Sequence, residues 1–203
     1  MSLNSNEKIR YTTDGVYYFS RSTGTNILFD ELQCRAEKLS KAPRQVSIAL
    51  TNICDLCCAH CYVPKSADYL NENDLEKWIL ELDANGCIGI SFGGGEPTLY
   101  PKLLDLCKFV IQNTTMAVTL TTHGHRLTRR LTQDMLSIVN FVRISMDGVN
   151  STYESIRHKS FSDFLDCLML LKETLPFGIN YLVNSNTIVE IDEAISIDRK
   201  SVV

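Results

Sequence analysis

From residue 46 onward the chain repeats one unit, a short strand-like run followed by a helix-length segment, and this alternation restricts it to a parallel sheet. The runs are "VSIALTN", "CIGISF", "AVTLTT", "FVRISM" and "GINYLV". Between the first two, Leu75, Trp78, Ile79 and Leu82 recur on one helical face. Asn73 and Glu76 have the spacing of a capping box at the start of that helix, and Gly86 lies just past its last turn. Helices are predicted over residues 102–112, 131–137 and 162–171 in the later intervals. Each interval holds a crossover, so at least five parallel strands with right-handed connections are expected.

Such strands form either an open doubly wound sheet or an arc of a barrel. In "FVRISMD" the residues Arg143, Ser145 and Asp147 share one face, and Val142, Ile144 and Met146 the other. "GINYLVN" repeats the pattern, with Asn180, Leu182 and Asn184 opposite Ile179, Tyr181 and Val183. A doubly wound sheet is covered by helices on both faces and reads as apolar on both. Two strands with a polar face therefore favour a partial (β/α) barrel around a polar ligand.

Residues 1–44 read as a lead-in, a hairpin in "GVYYFSRSTGTNILFDE" and a brief helix, expected to cover a sheet edge. Residues 45–203 read as the barrel core. Its end, "VEIDEAISIDRKSVV", supplies a helix but not another strand–helix pair, so a truncated barrel is expected, with an open edge that invites self-association.

The second constraint is "CDLCCAHC", four of the chain's 8 cysteines within residues 54–61. A net charge of −4 lacks the basic excess of a nucleic-acid partner. No apolar run reaches the roughly 18 residues of a membrane span, and the start "MSLNSNEKIR" has no hydrophobic segment after its charges. Membrane insertion is not expected, and a cytoplasmic location with reduced or metal-bound thiols is. Cys54, Cys58 and Cys61 give C-x3-C-x2-C, and Cys54, Cys57 and Cys61 give C-x2-C-x3-C. Three thiolates suit a [4Fe–4S] cube with one open iron. Zinc completed by Cys57 or His60 and unligated thiols stay open at this point. Cys87, Cys107 and Cys167 stand among apolar residues and read as small core side chains.

A glycine run, "SFGGGEPTLYP", follows the second strand at the same carboxyl end of the sheet, where parallel α/β folds place their sites. The run exposes backbone, and Pro97 holds Glu96 extended. With these two motifs, residues 45–190 resemble the radical S-adenosylmethionine (SAM) superfamily, and within it the branch that matures peptides and cofactors. Cys54, Cys58 and Cys61 match the family's cysteine motif, with Cys57 outside it, and Gly94, Gly95, Glu96 and Pro97 match its glycine–glutamate signature. Thr122, His123 and Gly124 stand for the family's "TNG", and Ser145, Asp147 and Gly148 for its "S-x-D-G". Arg157 aligns with the arginine of "IRG", with His158 where glycine is usual, and Asn184 resembles the asparagine after the fifth strand.

The resemblance implies a [4Fe–4S] cluster on Cys54, Cys58 and Cys61, with SAM chelating the open iron. It implies a SAM site drawn from Gly94, Gly95, Glu96, Thr122, Ser145, Asp147, Arg157 and Asn184. Gly94 and Gly95 would meet the amino group, Ser145 and Arg157 the carboxylate or ribose, and Asn184 the ribose, while His60 would pack against the cluster. Reductive cleavage to a 5'-deoxyadenosyl radical, for modification of a peptide or small-molecule precursor, is the implied activity. A low-potential donor such as flavodoxin or ferredoxin would feed it. A non-catalytic, truncated zinc- or cluster-binding scaffold is the alternative.

Overall fold

The alternation on "FVRISM" is the arrangement observed in the computed structural model, which describes residues 4–64 and 66–202. Val142, Ile144 and Met146 are fully buried, while Arg143 and Ser145 turn to the other face and are half-buried. After β1 (Glu7–Thr12), β2 (Gly15–Ser20) and β3 (Asn26–Phe29), this strand belongs to a parallel sheet of β4 (Gln45–Thr51), β5 (Gly89–Gly94), β6 (Ala117–Thr122), β7 (Phe141–Met146) and β8 (Phe177–Tyr181). The order is β4-β5-β6-β7-β8. Strands added always on the same side, by crossovers of one hand, put every helix on one face and leave the other bare. A doubly wound sheet needs the order to reverse, so the architecture is the barrel arc.

The helices are α1 (Glu72–Ala84), α2 (Leu103–Asn113), α3 (Arg129–Met135), α4 (Asn150–Arg157), α5 (Phe161–Lys172) and α6 (Ile191–Val202). Leu75 and Ile79 of α1, Leu106 and Val110 of α2 and Phe164 and Leu171 of α5 pack with Leu50, Ile90, Phe92, Leu120 and Ile144 of the strands in one core. Cys87, Cys107 and Cys167 are buried there, and burial pushes the thiols of Cys107 and Cys167 up to about 12. Among the described residues no helix is long and apolar enough to cross a membrane.

Three local expectations are corrected. The cap of α1 is Asn71, not Asn73: its Oδ1 accepts from the backbone N–H of Asn73 at 2.9 Å and of Asp74 at 3.4 Å, so the helix starts two residues earlier than the capping-box spacing suggests. The fifth strand stops at Tyr181, so Leu182 to Asn184 are not part of it. Helix α4 was not expected, because "NSTYESIR" is nearly all polar and buries only Tyr153 fully. It ends at His158, which adopts a left-handed conformation (φ 54°, ψ 38°) where the family usually has glycine.

The lead-in is a three-stranded antiparallel sheet, β1 (Glu7–Thr12), β2 (Gly15–Ser20) and β3 (Asn26–Phe29), in that order, and the brief helix is a single 3-10 turn, Ala36–Lys38. It docks on the amino ends of β5 and β6 rather than along an edge. Lys8 Nζ donates to the carbonyls of Asp83 (2.9 Å) and Cys87 (2.8 Å), and Arg10 to that of Gly86 (2.8 Å). Arg21, buried, donates to the carbonyls of Thr114 (2.8 Å), Met116 (3.2 Å) and Ile111 (3.2 Å). These carbonyls end α1 and α2 or open the following strands, and the arginine satisfies acceptors the helix ends leave over. Arg21→Met is expected to lower stability by about 2 kcal/mol, read in urea unfolding, because several acceptors lose a charged donor together.

Candidate active site

The cysteine loop leaves β4 at Thr51 and is closed at its base. Thr51 Oγ1 accepts from Ile53 N (3.0 Å) and donates to the carbonyl of Asp68 (2.8 Å), while Asn52 N donates to the same carbonyl (3.1 Å). Above this base lies a cavity of about 730 Å³ at the carboxyl end of the sheet. Cys54, Cys58 and Cys61 all line it, whereas Cys57 is exposed and outside it. The cysteines that line the cavity are thus the three spaced C-x3-C-x2-C.

Beside the cysteine loop, the glycine run leaves the neighbouring strand β5. The N–H of Gly95 donates to Thr51 O (2.7 Å) and that of Glu96 to Ile53 O (2.8 Å), tying this segment to the cysteine loop. The Glu96 carboxylate is fully buried. Its Oε1 accepts from Thr98 N (3.1 Å), Thr98 Oγ1 (2.7 Å) and Thr122 Oγ1 (2.7 Å), and its Oε2 from His123 N (3.1 Å). The side chain thus ties the end of β5 to the end of β6. Thr122 lines the cavity, and its hydroxyl also accepts from Gly124 N at 3.1 Å.

His123 continues the connection. Its Nδ1 accepts from His125 N (3.1 Å), which assigns the ring proton to Nε2, 2.9 Å from Asp55 Oδ1 and 3.3 Å from Glu96 Oε2. The second oxygen of Asp55 is 3.3 Å from Arg126 NH1. His125 is held neutral: burial first, then the charges of Lys159 and Arg157, push its pKa down to about 4, and its Nε2 lies 2.7 Å from the Tyr153 hydroxyl.

At the end of β7, Ser145 and Asp147 line the cavity with Arg157 from α4. Arg157 NH2 is 2.5 Å from Asp147 Oδ2, and NH1 is 3.7 Å from Cys58 Sγ. His60 Nε2 is 3.3 Å from the same carboxylate oxygen. The contact to Arg157 is an ion pair without an aligned hydrogen bond: among the described residues, buried Asp147 Oδ2 and Arg157 Nε have no hydrogen-bond partner. The unpartnered Arg157 Nε, on a side chain that reaches the Cys58 sulfur, is polar capacity that suits a group with a charged end.

Of the residues singled out in the sequence, Cys54, Cys58, Cys61, Gly94, Gly95, Thr122, Ser145, Asp147 and Arg157 share the cavity. Glu96 lies behind its wall. Asn184 is not brought to it: its Oδ1 accepts from Asn186 N (2.8 Å) and Thr187 N (3.1 Å), holding a turn. Asn180, on the same alternation four residues earlier, lines the cavity instead, and the period-two pattern of "GINYLV" already put it on that face. Asp55 gave no signal beyond its place after Cys54.

The profile of the Radical SAM superfamily matches residues 48–196. The chain is 25% identical over 186 residues to the sporulation killing factor maturation protein SkfB of Bacillus subtilis, covering 87% of this chain and 45% of that protein. It is 27% identical over 150 residues to the Fe-coproporphyrin III synthase of Methanosarcina barkeri, covering 70% and 37%. The chain thus spans less than half the length of these curated relatives. In fold it is similar to Streptococcus suis SuiB bound to S-adenosylmethionine, with a TM-score of 0.77 at 14% identity over 99% of this chain and 61% of that one. With the profile covering most of its length, the chain belongs to the radical SAM superfamily, whose enzymes use a [4Fe–4S] cluster together with SAM.

Proposed function

We propose that this chain is the SAM-cleaving core of a radical enzyme that modifies a peptide. The observation that carries the reading is the convergence of Cys54, Cys58 and Cys61, with Cys57 excluded, on one cavity shared with the glycine run, Ser145 and Arg157. The peptide substrate rests on the relatives: SkfB is named as a maturation protein, and SuiB has been solved bound to its precursor peptide SuiA.

In this reading the three thiolates hold the cluster. The bound cluster and SAM supply one-electron cleavage of a sulfonium bond and a hydrogen-abstracting radical. The chain's own residues orient and enclose. The N–H groups of Gly95 and Glu96 are already engaged, and the backbone of Gly94 and Gly95, which lines the cavity, is the proposed contact for the SAM ammonium. Arg157, with NH1 beside Cys58 and NH2 on Asp147, offers its guanidinium to the SAM carboxylate, a planar fork that lysine does not reproduce. Ser145 stands next to it on β7. The bare concave face excludes water around a radical once substrate covers it. A low-potential flavodoxin or ferredoxin is the proposed donor, and pairing through the edge of β8 is the proposed route to self-association.

A second reading rests on one specific arrangement: the ligand atoms of Cys54, Asp55 and His123 lie within 4.8 Å of one another and could hold a single metal ion, as a zinc scaffold would. Electron paramagnetic resonance on anaerobically iron- and sulfide-reconstituted, dithionite-reduced protein decides between them. A [4Fe–4S] signal that changes on adding SAM is expected. Stoichiometric zinc with no cluster signal would sink the enzyme reading.

A further inference from the structure

A histidine side chain links the end of the sheet to the cysteine loop. His123 is 4% exposed and held at both ring nitrogens, by His125 N at Nδ1 and by Asp55 at Nε2, while its own backbone N–H is fixed by Glu96. Glu96 is anchored in turn to Thr98 and Thr122. Asp55 directly follows Cys54, and its other oxygen faces Arg126 from the same loop as His123. A continuous line of polar contacts therefore runs from the end of the sheet to the residue beside the first cysteine. Cys58, by contrast, is met by Arg157 of α4.

We propose that His123 is a positioning residue for the cluster-binding loop, a strut that fixes Asp55, and through it Cys54, against the buried Glu96 carboxylate. This rests on the cluster reading above and deepens it. The reason for histidine lies in reach. Nε2 is the far atom of the ring, and it is this atom that meets Asp55. Asparagine, the residue the family usually has here, ends near the position of Nδ1 and stops short. Glutamine carries its amide about as far out as Nε2. The inference therefore makes an uncommon demand: the family's usual residue is the damaging substitution and glutamine the tolerated one.

The test uses His123→Asn, His123→Gln and Asp55→Ala in the full chain, with thermal unfolding of each cluster-free protein as the check on folding. The first readout is amide hydrogen exchange over residues 53–61 without cluster. Exchange is expected to rise about tenfold in His123→Asn and Asp55→Ala, the factor that loss of one hydrogen bond to a charged group gives, and to stay near wild type in His123→Gln. The second is the rate of iron loss from reconstituted protein to a chelator, with the shape of the reduced cluster's resonance signal. Loss is expected to be about tenfold or more faster in the two disrupted variants, the usual scale for groups that orient a metal ligand. The double variant His123→Asn/Asp55→Ala is expected to be no worse than either single one.

Unchanged loop exchange in His123→Asn, or equal damage from asparagine and glutamine, overturns the strut. Failure of the wild type to take up cluster while the exchange pattern holds overturns the enzyme reading and leaves the strut standing, so the two failures are distinguishable.

Discussion

Cys58→Ala protein is expected to emerge from anaerobic reconstitution without a [4Fe–4S] signal and without SAM cleavage, and Cys54→Ala and Cys61→Ala to behave alike. Cys57→Ala is expected to match wild type in iron, sulfide and cleavage. A cube held by three thiolates has no spare ligand, because the open iron is the one SAM occupies, so each lining cysteine is singly indispensable. Cys57 is one residue from Cys58 in sequence, yet it is exposed and outside the cavity. The same four variants test the rival directly. If the loop's metal is a single ion on Cys54, Asp55 and His123, then Cys58→Ala and Cys61→Ala retain it and only Cys54→Ala loses it. Iron, sulfide and zinc per chain, with chromatographic detection of 5'-deoxyadenosine, read both outcomes.

The sheet was legible because its signal is carried by every residue of a strand. In "FVRISM" each second residue is apolar and fully buried, and the polar alternates alone argued for a bare concave face. The lead-in was half legible: β2 and β3 are mostly aromatic or aliphatic, but β1, "EKIRYT", is mostly charged or polar, and its Lys8 and Arg10 are used for docking rather than for a core. Helix α4 was hidden for the same reason, since most of its residues are polar and only Tyr153 is fully buried. At the site, the cysteine spacing and the glycine run pointed to two loops that the fold brings to one cavity. What they did not convey is which groups are already spent. Glu96 reads as a ligand in the sequence and is consumed by four hydrogen bonds in the structure. Asp55 and His123 lie 68 residues apart and meet only through the adjacency of β4, β5 and β6. No local pattern encodes such a contact.

Gly95→Ala is expected to destabilise the protein by about 3 to 4 kcal/mol and to disorder the cysteine loop, whereas Gly93→Ala should leave stability within about 0.5 kcal/mol of wild type. The three glycines of the run look interchangeable in sequence, but their surroundings differ. A Cβ on Gly95 would lie 2.2 Å from Ile53 O and 2.7 Å from Asn52 O, both backbone atoms of the loop that carries Cys54. No rotamer relieves that clash. The two segments would have to separate, breaking the Gly95 N–H to Thr51 O and Glu96 N–H to Ile53 O hydrogen bonds as they do so. At Gly94 a Cβ would meet Thr51 O at 2.3 Å, and the φ of 126° adds backbone strain. At Gly93 the nearest atoms are 3.9 Å away, and the added methyl would enter the cavity that Gly93 helps line. Urea unfolding of the cluster-free proteins and SAM binding to the reconstituted ones should therefore separate the two roles: Gly95→Ala fails in the first assay, and Gly93→Ala loses affinity only in the second. Equal and small effects on stability would mean that the run is a flexible turn and that close approach of the cysteine loop does not depend on it.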